Sequence, residues 1–561
     1  MRILRCLAIL AFFTLTACEN MQIGPVRSDP TSASQVSLPG VQTTSTPFQP
    51  DENQQVHIHF SPGVPEEWVT LAEGINGVTL TDDATNADIS IAQQAIANGF
   101  TSVFTSEVVF AAAVPFFTVR DEVDLVLISN LWAGKARQDE YTCLLVSPRT
   151  EGILSETWGQ PGPTTLVLPG DEIVATLEAD PACMAIVPFE DITPRMKILK
   201  LDGQSPLEKP LDRTRYPLIV HFAMALRDGA TGGIRATAIE LVQKLPATNR
   251  DEYRMTVIVM SGTTALVRAT AAKIRDKGQE YPIDLVREWF LKADLRHVSN
   301  EVSFMEGCPD PDPYSTSLQF CSDPANIGVL EKLGVNVVEL TGNHVNDYGP
   351  KNLAATIRMY KERNWVIYGG GENSQVASQP GLVTSNGNKI AFVGCNRVGP
   401  TQAWADVTHA GAAQCDFDAL YRQISELKSA GYVVIATYQH QETYQYMYEE
   451  SSEKSYARDF QRAVVAGADI VQGSQAHYPM GFELIGNGFI HFGLGNFLFD
   501  QMDIPVRGTR REFIDRHIVY DGRYINTEIL TAWLEDYSRP TPMDPEDRAQ
   551  FLSDLFQVSR R

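Results

Sequence analysis

The sequence predicts an α/β protein with two globular parts, in which a smaller α/β domain precedes a C-terminal α/β sandwich. The chain has 561 residues, which is more than one hydrophobic core normally holds. Short apolar runs alternate with helical patterns along most of its length. A polar, charged stretch at 245–253 divides them. We therefore expect one domain over 52–250, a second over 251–500, and a C-terminal appendage over 501–561.

The N-terminus has the pattern of a bacterial export signal. Arg2 and Arg5 precede the apolar run Leu7–Leu15, which is too short to span a bilayer. The run ends in Leu15-Thr16-Ala17-Cys18, which resembles the lipobox of bacterial lipoproteins. That resemblance implies that residues 1–17 are a signal peptide and that Cys18 is lipidated. A secretory signal that happens to contain a cysteine is the alternative.

The segment after Cys18 is predicted to be a flexible tether. Residues 18–51 are rich in Ser, Thr, Pro and Gln and contain few large apolar side chains. Together with the lipobox, this segment predicts a cell-envelope protein that is lipid-anchored to the membrane and faces the periplasm or the exterior.

The first globular part is predicted to contain a mostly parallel sheet. Strand-like runs lie at Val56–Phe60, Ala87–Ala92, Asp124–Asn130, Met184–Phe189 and Lys197–Gly203, with helical stretches between them. The segments Ile186–Glu190, Leu201–Gly203 and Tyr216–Leu218 weakly resemble the C-terminal part of periplasmic phosphate-type solute-binding proteins. A structural α/β domain that binds no ligand is the alternative.

The second part shows the same alternation. Strand-like runs lie at Met255–Met260, Val335–Leu340, Lys389–Cys395, Tyr432–Thr437 and Asp469–Gln472. Helices are predicted at Tyr281–Leu291, after Pro350, and along the stripes Leu420/Ile424/Leu427 and Ala457/Phe460/Val464. The segment Phe482–Phe492 is predicted to be a hairpin, and its Asn487-Gly488 dipeptide favours a type I′ turn.

Six cysteines follow Cys18, and an exported protein meets an oxidising compartment. They are Cys143, Cys183, Cys308, Cys321, Cys395 and Cys415. Six cysteines allow fifteen pairings. Pairing in sequence order is the simplest, because each bridge then closes a short local loop.

The charge of the chain limits its partners. The sequence has 46 Lys and Arg against 69 Asp and Glu, for a net charge of −23. This balance argues against a nucleic-acid partner and against docking on an anionic membrane through a basic patch. It does not exclude an anionic substrate, because a bound metal can supply local positive charge.

The segment 337–349 has the pattern of a functional strand end. An apolar strand leads into a polar turn with Asn343, His344 and Asp347, and a helical pattern begins after Pro350. Open α/β sheets place their sites at the carboxyl ends of strands. An ordinary connection with a polar cap is the alternative.

Further motifs occur at the ends of other predicted strands. They are Tyr438-Gln439-His440, Gly473-Ser474-Gln475-Ala476-His477 and Gly493-Leu494-Gly495-Asn496-Phe497. With Thr341-Gly342-Asn343-His344 they resemble, in order and spacing, the capsule-synthesis protein CapA family over about residues 255–500. That family is implicated in poly-γ-glutamate capsule synthesis and has a fold similar to calcineurin-like metallophosphatases.

The resemblance and the residue types together nominate a set of site residues. The candidate catalytic residues are His344 and Asp347, and the candidate metal ligands are Glu301, Asn343, His440, Gln475 and His477. The candidate substrate-binding residues are Asn300, Glu442 and Asn496. In related metallophosphatases the Asn of the Asn-His pair binds metal and the His stabilises the transition state, which implies these roles for Asn343 and His344.

The sequence departs from the family pattern at three places. Thr263 follows Gly262 where the family usually has Asp, Gln475 replaces a histidine, and Asn300-Glu301 lacks the spacer of an Asn-x-Glu element. Neutral Thr and Gln are weaker donors to a divalent cation. We therefore expect one divalent metal, either Mn, Fe or Zn, or none.

Two functions follow from these observations. The first is a surface lipoprotein that acts in the synthesis, anchoring or release of a capsule or exopolymer, with metal-assisted hydrolysis or transfer on an anionic polymer or a phosphoester-like substrate. The second is a non-catalytic lipoprotein that binds a polymer or solute through a degenerate phosphatase-like domain.

Overall fold

The structure is a computed structural model that describes residues 55–93, 98–136, 141–448 and 456–559. The predicted signal peptide, Cys18 and the predicted tether lie outside these residues. These described residues form one compact unit. The boundary between residues 250 and 251 stays a prediction.

The first half of the described chain folds as an α/β layer. Its strands are β1 (Val56–Phe60), β2 (Val78–Leu80), β3 (Ile89–Gln93), β4 (Phe100–Pro115), β5 (Glu122–Val123), β6 (Cys143–Val146), β7 (Thr165–Val167), β8 (Cys183–Pro188), β9 (Met196–Ile198), β10 (Lys200–Leu201) and β11 (Ile219–Arg227). Its helices are α1 (Glu66–Glu73), α2 (Leu125–Trp132), α3 (Pro148–Trp158), α4 (Gly170–Ala179) and α5 (Gly232–Lys244).

The main sheet of this half is mixed, so the prediction of a mostly parallel sheet is wrong. The strand order is β2-β1-β3-β11-β4-β8-β6-β7, and β9 pairs with β4. The pairs at each end of the sheet are parallel, whereas β11 and β4 run antiparallel to each other and to the strands beside them. Neither of these long strands was predicted from the local pattern, and they are the ones that reverse the direction of the sheet.

One predicted strand of this half is a helix. The run Asp124–Asn130 forms the start of α2, because the Asp124 carboxylate accepts a hydrogen bond of 2.7 Å from the Leu127 amide and caps the first turn. The buried residues Leu127, Ile128 and Leu131 then fall on one helical face. Short apolar runs fit strands and buried helices equally well, and here the N-cap decides between them.

The second half contains most of the predicted elements. Its strands are β12 (Met255–Thr264), β13 (Leu295–Asn300), β14 (Val337–Glu339), β15 (Val366–Tyr368), β16 (Gly370–Gly371), β17 (Gly381–Ser385), β18 (Asn388–Asn396), β19 (Gly411–Ala412), β20 (Val433–Gln439), β21 (Ile470–Gly473), β22 (Phe482–Ile485), β23 (Gly488–His491), β24 (Asn496–Leu498), β25 (Arg511–Tyr520), β26 (Arg523–Glu535) and β27 (Arg539–Pro542). Its helices are α6 (Arg268–Lys277), α7 (Arg287–Leu291), α8 (Ile327–Leu333), α9 (Pro350–Glu362), α10 (Ser374–Ala377), α11 (Phe417–Ser429), α12 (Ala457–Ala466) and α13 (Pro545–Val558). The helix predicted at Tyr281–Leu291 is thus helical only in its last part.

Two sheets of this half pack face to face, as the sequence predicted. One has the order β15-β14-β13-β12-β25-β26-β27, with β24 beside β12, and the other has the order β17-β18-β20-β21-β23-β22. Ile258 and Val337 from the first sheet share a buried core with Phe392 and Ile435 from the second. The opposite face of the second sheet is covered by α11 and α12 through a further core that includes Phe460. The result is an α/β sandwich.

The segment after Asp500 is part of this sandwich. β25 pairs antiparallel with β12 and with β26, so residues 511–535 widen the first sheet. An appendage was predicted over 501–561, because the recognisable motifs stop near Asp500. The structure instead uses this segment to cover the edge that β12 would otherwise expose.

The two halves contact each other through side chains as well as through the core. Arg548 of α13 makes a bidentate ion pair with Asp121, at 2.6 and 3.0 Å. The Asn526 amide donates a hydrogen bond of 2.8 Å to the Met196 carbonyl. Phe116, directly after β4, packs in the core of the sandwich.

The cysteines pair in sequence order, which confirms the simplest prediction. The bridges are Cys143–Cys183, Cys308–Cys321 and Cys395–Cys415.

The predicted hairpin is present as β22 and β23, but its turn lies one residue earlier than predicted. Ile485 pairs with Gly488, which leaves Gly486 and Asn487 as the turn residues. Gly486 has φ +57°, whereas Asn487 does not have a positive φ, so the turn is not type I′.

Candidate functional site

The polar ends of several parallel strands meet at one edge of the sandwich. β12, β13 and β14 are parallel in one sheet, and β18, β20 and β21 are parallel in the other. Residues that follow β12, β14, β20 and β21 border a cavity of about 1050 Å³. Five of the predicted site residues line it, namely Asn343, His344, Glu442, Gln475 and His477.

His344 lies between two carboxylates. Its Nδ1 is 2.7 Å from Oδ2 of Asp347, and its Nε2 is 3.7 Å from Oε1 of Glu301. Burial and the charge of Arg268 lower the pKa of His344, but the Asp347 hydrogen bond and the Glu301 charge outweigh them, so the pKa is raised overall. Asp347 is itself held by the Phe320 amide at 2.7 Å. The arrangement favours a protonated imidazole at the cavity wall.

Glu301 is the candidate site residue whose polar atoms make the fewest hydrogen bonds to the described residues. It is 2% exposed, and neither of its carboxylate oxygens accepts a hydrogen bond from any residue that the structure describes. The loop after β14 packs directly on it, because a Cβ on Gly342 would lie 2.6 Å from the Cα of Glu301. A buried carboxylate without hydrogen bonds is costly unless a positive charge lies nearby. A protonated His344 would supply one such charge, and a bound cation would supply another.

Asn343 belongs to a hydrogen-bonded chain that joins three strand ends. Gln439 donates to Oδ1 of Asn343 at 3.0 Å, and its Oε1 lies 3.5 Å from the Ser474 hydroxyl oxygen. Ser474 also donates to Glu339 at 2.8 Å, and Thr341 donates to the same carboxyl oxygen. The chain holds the loops after β14, β20 and β21 at fixed positions relative to each other.

Glu339 is a site residue that none of the sequence motifs indicated. It is buried, and burial raises its pKa although hydroxyl groups donate to it. An acidic residue inside an otherwise apolar strand is the signal that could have identified it.

His477 presents one defined ring nitrogen to the cavity. Asn496 donates through Nδ2 to the carbonyls of His477 and Thr509, at 3.2 and 3.0 Å, which fixes the orientation of its amide. Its Oδ1 therefore accepts from Nδ1 of His477 at 2.8 Å. The lone pair of neutral His477 is then on Nε2, the nitrogen that can ligate a metal or accept a proton. Asn496 itself is fully buried and does not line the cavity.

Thr263 and Gln475 occupy the positions where the family pattern has stronger ligands. The Thr263 hydroxyl donates to the Ser474 carbonyl at 2.6 Å, which uses its proton in a structural contact. Gln475 lines the cavity, and its Oε1 has no hydrogen-bond donor among the described residues. An amide oxygen without a donor can act as a weak metal ligand.

His440 does not lie in the same cavity as His344, contrary to what the motif pattern suggests. Its Nε2 is 3.0 Å from Oδ2 of Asp459, and its ring packs against Tyr448, Tyr456 and Phe460. Burial lowers its pKa, and Asp459 opposes this shift. Its Nδ1 has no partner in the described part of the chain.

The two other predicted substrate-binding residues lie in different environments. Asn300 is buried and donates to the Val302 carbonyl at 2.8 Å and to the Tyr360 hydroxyl at 2.6 Å, so its amide is used inside the fold. Glu442 lines the cavity and accepts from the Tyr444 hydroxyl at 2.5 Å.

Three candidate metal donors line the cavity, namely Asn343, Gln475 and His477, and a fourth, Glu301, lies beside His344 without lining it. Glu301 and the Nε2 of His477 are the charged or strong donors, whereas Asn343 and Gln475 offer amide oxygens. A different group, Cys143, Asp180 and Cys183, has metal-ligand spacing within the described residues. Its two cysteines form a disulfide, so they are not thiolate ligands.

The described residues contain no helix with the length and apolar character that crossing a membrane requires.

Comparison with known proteins matches the second half of the chain to a protein family. Residues 257–501 match the family profile described as bacterial capsule synthesis protein PGA_cap. The chain is 26% identical over 277 residues to the capsule biosynthesis protein CapA of Bacillus anthracis, covering 48% of this chain and 66% of that protein. It is 27% identical over 230 residues to the PGA biosynthesis protein CapA of Bacillus subtilis (strain 168), covering 40% of this chain and 58% of that protein. The match therefore spans less than two thirds of either relative.

Two solved structures align with different shares of the chain. An ABC-type phosphate transport receptor from Vibrio cholerae aligns with a TM-score of 0.30 and 14% identity, over 34% of this chain and 94% of that one. A 5′-nucleotidase precursor from Thermus thermophilus aligns with a TM-score of 0.32 and 11% identity, over 54% of this chain and 59% of that one.

Proposed function

We propose that the protein acts in the synthesis, anchoring or release of a capsule or exopolymer of the poly-γ-glutamate type, because residues 257–501 match the family of bacterial capsule synthesis proteins. The observation that carries the proposal is the cavity of about 1050 Å³ at the strand ends, with the His344 ring, held by Asp347, in its wall. The substrate class is an anionic polymer or a phosphoester-like group.

The chemistry that this site supports is hydrolysis or group transfer. Asp347 holds Nδ1 of His344, so Nε2 faces Glu301 and the cavity and can donate a hydrogen bond to a developing negative charge. His477, with its proton fixed on Nδ1 by Asn496, can accept a proton or ligate a cation through Nε2. A divalent cation such as Mn, Fe or Zn, held by Glu301, Asn343, Gln475 and His477, would act as a Lewis acid toward a phosphoryl or carbonyl oxygen.

A non-catalytic role is the second candidate, and two contacts favour it. The Thr263 hydroxyl donates its hydrogen bond to the Ser474 carbonyl, and Nε2 of His440 contacts the Asp459 carboxylate. Both residues stand at positions where the family pattern has metal ligands. In this case the cavity would hold a polymer chain without cleaving it.

The experiment that tests the proposal replaces His344 by Gln in the native host and measures surface polymer and its chain length. The matched control is His409→Gln, because Nδ1 of His409 lies 2.8 Å from Asp406 at the same spacing in sequence but is exposed. If His344 is catalytic, His344→Gln should lower the rate of the reaction on the polymer on the order of a hundredfold and so change the amount or the chain length of the polymer. The control variant should change neither. If both variants and the parent make the same amount of polymer with the same chain length, the catalytic role is refuted. If a strain that lacks the protein makes unchanged polymer, both the catalytic and the binding role are refuted.

The envelope location is tested separately. We propose that Cys18 carries the lipid anchor, so Cys18→Ser protein should leave the membrane fraction. If that variant stayed firmly in the membrane, the anchor would lie elsewhere. Several acyl chains hold a protein in a bilayer far more firmly than one.

A further inference from the structure

Arg268, which no sequence motif singled out, lies at the cavity beside the candidate histidines. It lines the main cavity and also an adjacent cavity of about 570 Å³. Its backbone has φ +43°, a left-handed conformation that non-glycine residues rarely adopt. Such strain is maintained only where the surrounding structure holds it, and it is frequent at functional sites.

The guanidinium of Arg268 is held rigidly on several sides. It forms a bidentate ion pair with Asp500, which also accepts a hydrogen bond of 3.0 Å from the Ala269 amide. Its Cζ lies 4.9 Å from the ring centroid of Phe320 and 5.1 Å from that of Phe499. The side chain is therefore positioned before any ligand arrives, which lowers the entropy cost of binding.

The same two rings connect Arg268 to the candidate catalytic residues. The ring centroid of Phe320 lies 4.5 Å from that of His344, and the ring centroid of Phe499 lies 5.1 Å from that of His477. The disulfide between Cys308 and Cys321 closes the loop that carries Phe320. Arg268, His344 and His477 thus form one cluster in the wall of the cavity.

One edge of the guanidinium has no protein partner among the described residues. The ion pair uses Nε and Nη2, whereas Nη1 donates no hydrogen bond to any residue that the structure describes. The side chain keeps 18% of its surface exposed, against 6% for Asp500. A rigid, partly buried arginine with a free edge is suited to recognise an oxyanion, because its planar N–H groups match carboxylate and phosphate oxygens.

We propose that Arg268 forms an oxyanion subsite that binds a carboxylate or phosphoryl group of the ligand next to His344. The proposal rests on the proposed function, because it names the chemical group by which that cavity holds its substrate. Asp500 then positions the arginine, and Phe320 and Phe499 shield it from water.

A structural role for the Arg268–Asp500 ion pair would make a different prediction. A purely structural pair needs both charges, so removing either would destabilise the fold and leave anion binding unchanged. A subsite predicts that Asp500→Asn, which keeps much of the hydrogen-bonding shape but removes the competing negative charge, binds an anion at least as tightly as the parent.

The test titrates the purified full chain with inorganic phosphate, with glutarate, and with neutral glutaramide as the blank, by isothermal calorimetry. The variant is Arg268→Asn, because Asn tolerates the left-handed backbone. The matched control is Arg275→Asn on the same helix, whose side chain is 52% exposed and pairs with the neighbouring Asp276. We expect Arg268→Asn to weaken binding about tenfold or more, and Arg275→Asn to leave it unchanged.

The two anions distinguish the source of the oxyanion. Tighter binding of phosphate assigns a phosphoryl ligand, and tighter binding of glutarate assigns a carboxylate. Equal affinity of Arg268→Asn and the parent, or no binding of either anion by the parent, would overturn the subsite. If Arg268→Asn does not fold, Arg268→Lys decides: it keeps the charge but lacks the planar fork, and unchanged affinity would overturn the proposal.

The outcome is separable from that of the proposed function. If Arg268 binds anions but the protein neither processes nor retains polymer, the subsite is upheld and the proposed function is refuted. If Arg268→Asn processes polymer normally, the proposal of the subsite is refuted and the proposed function stands.

Discussion

The Thr263 hydroxyl donates a hydrogen bond of 2.6 Å to the main-chain carbonyl of Ser474, and this contact joins the carboxyl end of β12 to that of β21. The two sheets of the sandwich are therefore linked at the place where the family pattern has a charged ligand. Thr263 is 1% exposed, so any carboxylate there would need a cation to balance it.

This contact predicts the result of restoring the family ligands. The double variant Thr263→Asp with Gln475→His should lose stability in metal-free buffer, because the new carboxylate faces the Ser474 carbonyl. Added Mn²⁺ should raise its thermal midpoint and its metal content, both measured on one preparation by thermal unfolding and elemental analysis.

Thr270→Asp is the matched control for that double variant. Thr270 is also buried and donates to a carbonyl, that of Tyr537, at 2.8 Å, but it does not line the cavity. It should lose stability without gaining metal. Two tightly held metals in the parent would contradict the view that the site is incomplete, and no gain in the double variant would show that the family alignment at Thr263 or Gln475 is misplaced.

The unsatisfied carboxylate of Glu301 predicts a second result. Glu301→Gln removes a buried negative charge that accepts no hydrogen bond from any described residue. Without metal the variant should be at least as stable as the parent, whereas the rise in thermal midpoint that Mn²⁺ causes in the parent should disappear. An equal Mn²⁺ effect in parent and variant would exclude Glu301 as a ligand.

The pair His477 and Asn496 predicts a third result. Asn496→Leu removes the acceptor that holds the proton on Nδ1 of His477. We expect a loss of about tenfold to a hundredfold in metal affinity, the usual effect of removing a group that orients a histidine ligand. Nitrogen chemical shifts of the His477 ring should change from one tautomer to a mixture. An unchanged ring spectrum would mean that other contacts fix the tautomer.

Two buried histidines predict the response to acid. Burial, opposed by the charge of Asp515 and aided by that of His491, lowers the pKa of His517 to about 4. Burial likewise lowers the pKa of His297 to about 3. Because an unfolded histidine has a pKa of about 6.5, the unfolded state binds more protons below that pH. The stability that these neutral rings contribute is complete above pH 6.5 and is lost as the pH falls toward 4 and then 3.

The measurement is the free energy of unfolding against pH for the parent and for His517→Gln. As the pH falls from 6.5 to 4, the free energy of unfolding of the variant should decrease by up to about 1.4 kcal/mol less per pH unit than that of the parent. The reason is that the variant takes up one proton fewer when it unfolds. Equal slopes for His517→Gln and the parent would show that the ring is already charged in the folded state.

The elements with strong local signals could be predicted from the sequence. The helix after Pro350 is present as α9, because Leu353, Ile357 and Tyr360 fall on one buried face and Pro is accepted in the first turn. The pairing of Cys308 with Cys321 followed from their short separation. Elements that depend on distant partners could not be predicted: β4 and β25 acquire their direction from the strands beside them, which the local pattern does not encode.

The candidate site divides in the same way. The local pattern already indicates that Asn343, His344, Gln475 and His477 follow strands, and parallel strands bring their carboxyl ends to one edge, so these four residues share the cavity. The direction of each side chain depends instead on the folded molecule. In the folded molecule His440 packs against Asp459 and aromatic rings, and the Asn300 amide donates to the buried Tyr360 hydroxyl. Folding also brings Arg268, at the start of α6, beside His344. Strand position is a property of the local chain, whereas the orientation of a buried polar group is set by the donors and acceptors that other segments bring to it.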